Sequence, residues 1–180
     1  KHKHLNIDAE MEYLKATEFL TISPSVLELE HATFTGEGTV DIANEFELDL
    51  DFYGKKKNFD LFMAMAPEEL HPVLDRYDNA GEIEFDVRVK GKSSIGNTPL
   101  VDATFSCHNG HFENTLSHKK IDQLNFEGHF TNNGKPGLEP MEFTLKDFTA
   151  RPEAGSFTAN LSMIDFAAPN IEMSLDSDFD

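Results

Sequence analysis

The stretch GEIEFDVRVKG, residues 81–91, decides the fold. Ile83, Phe85, Val87 and Val89 point one way along an extended chain, and Glu82, Glu84, Asp86, Arg88 and Lys90 point the other. Such strict alternation is the mark of a half-buried strand with one apolar and one charged face. The same period recurs on either side. NEFELDLDFYG sets Phe46, Leu48, Leu50 and Phe52 against four acids, and PLVDATFSC aligns Val101, Ala103, Phe105 and Cys107. DQLNFEGHF aligns Leu124, Phe126, Gly128 and Phe130, and LNIDAEM, GSFTANLSM and NIEMSLDSD repeat the pattern near the two ends. Strands of a parallel sheet are buried on both faces and read as continuous apolar runs. Alternation therefore predicts an antiparallel sheet of about ten strands.

One segment departs from period two. In NFDLFMAMAPEELHPVLDRYDNAG, residues 58–81, Phe59, Phe62, Met63 and Met65 approach helical spacing. Pro67 followed by Glu68 and Glu69 suits a helix start, because proline fits the first helical position and acids suit the positive end of the dipole. Pro72 interrupts it, and Asn79 with Gly81 marks its end. The expectation is a short helical insertion at about 58–78.

With 180 residues the chain is long enough for one domain with a core. It reads as a single β-rich domain over 1–180, made of loosely repeated units of alternating strands. Hydrophobic residues are 39% of the total and mean hydropathy is −0.42, so the core is expected to be modest. Sixteen phenylalanines keep it from reading as disordered. No apolar run approaches the ~20 residues that span a bilayer. The opening KHKHLNIDAE has neither initiator Met nor apolar signal region. The chain is therefore expected to be a piece of a longer one, with any membrane anchor in the missing part. Thirty-three acids against fifteen bases give a formal charge of −18. A surface this acidic repels phosphate backbones and anionic lipid headgroups, and the first argues against nucleic acid as a partner.

The only cysteine opens CHNGHF, residues 107–112, and is followed within five residues by two histidines and a phenylalanine. Cys and His at this spacing raise the question of a metal or a thiol nucleophile. Asn-Gly between alternating strands is a hairpin signal, since a type I′ turn needs two residues with positive φ. The expected hairpin places His108 opposite His111 on the charged face and Cys107 on the apolar face beside Phe105. The cysteine and the histidines then cannot share an ion, and no base stands near the thiol. The remaining histidines form no HExxH-like pair. GEG at 36–38 reads as a turn. There is no nucleophile elbow, phosphate loop or EF-hand loop. The sequence is expected to be non-enzymatic, with no catalytic residue, no metal site and no cofactor.

Three pieces of sequence together resemble the AsmA-like family, β-rich periplasmic proteins of diderm bacteria. They are LDLDFYGKKKNFDLFMAMAPEEL, then AGEIEFDVRVKGK leading into TPLVDATFSCHNGHF, and the return pattern IDQLNFEGHFTNNG. The likeness is to a C-terminal-type β-rich segment of that family and covers roughly residues 27–176. It implies a curved antiparallel sheet with an apolar groove and a periplasmic location. It also implies attachment to the inner membrane through a segment outside this chain, and a part in outer-membrane assembly or lipid transport. Phospholipid or another envelope lipid is then the expected partner, with envelope proteins as further candidates.

Register places Phe85, Val87, Val89, Val101, Ala103, Phe105, Leu124 and Phe126 on one continuous apolar surface, because a one-residue slip would expose each whole set. These eight are the candidate lipid-facing groove. The sequence leaves two outcomes open: an open groove, or a face closed on itself as a partly closed barrel or sandwich. The second functional reading is a β-sandwich binding domain for a surface glycan or a protein partner.

Overall fold

The computed structural model describes residues 5–29, 32–59 and 75–178. Eleven strands among them form one antiparallel sheet that does not close. They are β1 (Leu5–Asp8), β2 (Met11–Leu14), β3 (Phe19–Leu29), β4 (Ala32–Asp41), β5 (Glu47–Lys56), β6 (Tyr77–Lys92), β7 (Leu100–Asn114), β8 (Lys120–Thr131), β9 (Glu142–Pro152), β10 (Ser156–Ile164) and β11 (Asn170–Asp178). From β3 to β11 each strand pairs with the next in sequence, so the chain is a simple meander. Both β1 and β2 pair with β3 and together form a broken edge strand.

No helix occurs among the described residues. Most of the insertion expected at about 58–78 lies outside them, at 60–74. Its described C-terminal part is corrected: Tyr77 and Asp78 already belong to β6, where Tyr77 pairs with Asn114 and sets its ring 6.5 Å from that of Phe112.

The expected hairpin at Asn109-Gly110 is also corrected. β7 runs straight through it for 15 residues, and His108 and His111 face Glu82 and Ala80 of β6 rather than each other. Asn109 is the extra residue of a β-bulge, at φ 51. Its neighbours carry the same device. The register shifts place Gln123 (φ 51) as the extra residue in β8 and Asp147 (φ 50) in β9. Asparagines stabilise two of these kinks: Asn109 N–H donates to Asn125 Oδ1, and Asp147 N–H donates to Asn160 Oδ1, each at 3.0 Å. A bulge bends its strand and increases local twist, so three on successive strands curve the sheet.

GEG is no turn either. Gly36 and Gly38 lie within β4. Gly38 has φ 139, and a Cβ there would fall on the Asp49 carbonyl oxygen and within 2.8 Å of Leu50 Cα. Gly38→Ala is therefore expected to cost at least about 2 kcal/mol, since both the dihedral and the backbone contact are unfavourable to any side chain. Urea unfolding measures it directly.

Among the described residues the single sheet has no second layer to bury its apolar face. Five apolar residues are buried among those described, Phe59, Ile83, Cys107, Leu124 and Ala150, and of these Ile83 and Cys107 are fully so. They cluster at one end of the sheet, where Phe59 from the β5–β6 connection lies over it, 4.7 Å from the Phe112 ring and 6.5 Å from that of Phe126. The accessible surface of 11610 Å² exceeds the roughly 8,800 Å² expected of a compact monomer of this mass.

Candidate functional site

Directly opposed residues of an antiparallel pair share a face. Val87 stands between Phe52 and Ala103, Val89 between Leu50 and Val101, and Phe85 between Gly54 and Phe105. Cys107 faces Phe126, and Gly110 faces Leu124. All eight candidate residues therefore lie on one face. The bulge at Asn109 returns Gly110 and Phe112 to that face after the register changes.

The eight are not equivalent. Phe85, Val87, Val89, Val101, Ala103, Phe105 and Phe126 are half-buried, although strands flank them on both sides. Leu124 is buried within the core cluster. The candidate surface thus divides into a covered end around Leu124 and an open end around Val87. The meander also extends it beyond the residues predicted, to Leu48, Leu50 and Phe52 on β5 and Phe143 and Leu145 on β9. Their alternation was visible in the sequence for β5; their adjacency was not.

Glycines shape this surface. Phe85 opposes Gly54, and Phe105 opposes Gly128. A Cβ on Gly54 would lie 2.8 Å from the Phe85 ring, and one on Gly128 would overlap the Phe105 ring. The rings thus occupy space that a side chain on the neighbouring strand would fill. Further rings continue the pavement: Phe105 stacks near Phe143 at 6.0 Å, Phe126 near Phe148 at 6.1 Å, and Phe148 near Phe157 at 5.5 Å.

The other face is charged. Asp49 accepts from Lys90 at 3.1 Å and Arg88 at 3.0 Å, and these bonds hold its carboxyl below the usual range. Lys55 pairs with Glu84, and His129 with Asp102 at 3.0 Å. A depression of about 660 Å³ crosses β5 to β9 on this side. Thr104, Ser106 and Thr144 lie in it, among Tyr53, Lys55 and Lys146. Exposed ion pairs of this kind contribute little stability but keep the face solvated.

Cys107 lies on the apolar face and is fully buried, whereas His108 and His111 lie on the charged face, where His111 Nδ1 meets Asp122. The thiol donates to the Leu124 carbonyl at 3.4 Å. Burial pushes its pKa up to about 11 from 9.0. A thiol held neutral in the fold and free to ionise when unfolded favours folding less as pH rises. The sign is a loss of stability between about pH 9 and 11, absent in Cys107→Ala. At pH 8 the native thiol should resist a disulfide reagent that labels the unfolded chain at once. No group of three or more His, Cys, Asp or Glu residues is arranged to hold a metal among the described residues.

Among the described residues, fold and surface together define an open, single-layer antiparallel meander with one apolar and one charged face. Comparison with family models, with curated proteins and with solved structures finds no match.

Proposed function

We propose that the chain is a non-enzymatic lipid-handling module whose open apolar face takes acyl chains. The single observation that carries this reading is the half-buried state of Val87, Val89, Val101 and Ala103 at the centre of an eleven-strand sheet. An apolar surface of this extent exposed to water is a binding surface or a liability. Moving a sixteen-carbon tail through water costs roughly 12 kcal/mol at about 0.8 kcal/mol per CH₂. A pavement of Phe, Val and Leu offsets much of that cost. Rings lying over glycines suit a flexible chain, since they offer contact along a line without closing a pocket around one shape.

The resemblance to the AsmA-like family supports the finer reading: a periplasmic segment, tethered to the inner membrane through a part of the protein not in this chain, acting in outer-membrane assembly or lipid transport. Phospholipid is the proposed ligand, with envelope proteins as possible neighbours and no cofactor required. Titration with a fluorescent fatty acid tests the acyl-chain site. Saturable binding displaced by phospholipid supports it, and absence of binding counts against it.

A second reading has one observation in its favour. The depression on the charged face offers hydroxyls and Tyr53 to a glycan or a protein partner. It keeps the binding role of the sandwich reading without the sandwich, since the described residues form one sheet. Binding of soluble oligosaccharides with no affinity for fatty acid would favour it.

A further inference from the structure

Three loops meet at the end of the sheet where the apolar face is open: 42–46 between β4 and β5, 93–99 between β6 and β7, and 132–141 between β8 and β9. Each exposes a large apolar side chain, Phe46 at 52%, Ile95 at 106% and Leu138 at 51%. Scattered apolar residues are ordinary on a protein surface. These differ in being held out by built loops. Ile95 and Gly96 are the central residues of a turn closed by the Asn97 N–H, which donates to the Ser94 carbonyl at 3.0 Å, with Gly96 at φ 87. Glu45, from the neighbouring loop, braces that turn. Its Oε2 accepts from Ser94 Oγ at 3.1 Å and from Asn97 Nδ2 at 3.0 Å, and its Oε1 meets Lys92 Nζ at 3.6 Å. Glu45 and Phe46 both adopt left-handed backbone, φ 60 and φ 54, which is unfavourable for side chains of their size. Asn132, only 6% exposed, ties the third loop to the second: its Nδ2 donates to the Pro99 carbonyl at 2.9 Å, and its Oδ1 accepts from the Val101 N–H at 2.8 Å. The three loops are thus joined into one rim. Ile95 gains no burial in the fold, and strain is held where Phe46 is presented.

The rim states what would fit it. Single side chains on separate convex tips suit a soft apolar phase, whereas a protein surface would need one matching hollow for each tip. Charge selects the headgroup. Along the rim Glu45, Glu47, Glu139 and Glu142 outnumber Lys92 and Lys135, so an anionic leaflet would be repelled. Directly behind the rim lie Leu48, Leu50, Val89 and Val101, the half-buried floor of the open end. We infer that this rim docks on a bilayer of zwitterionic phospholipid, with Phe46, Ile95 and Leu138 entering the boundary between headgroups and acyl chains. An acyl chain leaving such a bilayer reaches Val89 and Val101 without crossing water. The inference rests on the lipid-handling reading for its purpose and gives that reading an entry point, while the docking itself is measured separately.

Flotation with vesicles of phosphatidylcholine tests it. The protein should rise with the vesicles, and phosphatidylglycerol added to them should lower the floated fraction at low salt. Ile95→Ser should lower it by about fivefold or more, since the side chain has no role in the fold to lose. Leu116→Ser is the control: Leu116 is 78% exposed but sits on the β7–β8 turn at the covered end, and its variant should float like wild type. Phe46→Gly, which suits the left-handed backbone, should lower flotation without lowering stability in urea. Absence of flotation by a protein that binds a fluorescent fatty acid would overturn the docking and leave the acyl-chain site standing. Flotation that Ile95→Ser and Leu116→Ser change equally would overturn it as well. Flotation lost in Ile95→Ser, by a protein that binds no fatty acid, would support the docking and count against the acyl-chain site.

Discussion

Cys107→Asp is expected to lower stability by about 3–5 kcal/mol, enough to unfold a marginal domain. The position is 0% exposed, with Ile83 on one neighbouring strand and Phe126 on the other. No cation among the described residues faces it, so a carboxylate there would be buried and unpaired. The thiol's bond to the Leu124 carbonyl would be lost as well unless the new acid stays protonated. The penalty should therefore shrink as pH falls and the acid takes up its proton. Urea unfolding at pH 8 and at pH 5 measures both effects. Cys107→Ser, which retains a donor of similar reach, should cost far less. A small, pH-independent loss in Cys107→Asp would show that the core cluster under Phe59 is open to water.

Val87→Asp is expected to do the opposite: little to stability and much to binding. Val87 sits mid-strand between Phe52 and Ala103 but is only half-buried, so a carboxylate can keep contact with solvent. Its stability cost should stay near 1 kcal/mol, the range of an ordinary exposed change on a strand. A charge in the middle of the apolar floor must be desolvated by any acyl chain laid across it. Affinity for a fluorescent fatty acid should fall at least tenfold, which is about 1.4 kcal/mol. Arg88→Gln, one residue along on the charged face, removes an exposed pair with Asp49 and should leave affinity unchanged. Severe destabilisation by Val87→Asp would mean that the face is covered in the folded protein.

Much of this architecture is legible in residues that alternate. Ile83, Phe85, Val87 and Val89 declare their face because the period of a strand is two, and that signal is local. The misreadings share a cause: they depend on partners distant in sequence. Asn109-Gly110 provides the positive φ that a hairpin and a bulge both require. The bulge forms because β6 is long enough to pair on both sides of it and Asn125, 16 residues away, accepts the Asn109 N–H. Gly36 and Gly38 look like turn residues, yet they make room in a strand for Leu27 and Phe52 and for the backbone at Asp49. The division of the candidate surface into covered and open ends hangs on Phe59, whose contacts reach Phe112 and Phe126, 53 and 67 residues further along the chain. Alternation distinguishes one face from the other, but it carries no record of what lies above either.

Lipid on the open apolar face would travel with the protein, so native mass spectrometry of the protein extracted in mild detergent from its own host should detect it. The spectrum should show a bound species with the mass of a phospholipid, present in wild type and in Arg88→Gln and depleted in Val87→Asp. A lipid-free wild-type protein, or one whose bound lipid survives Val87→Asp undiminished, would contradict it.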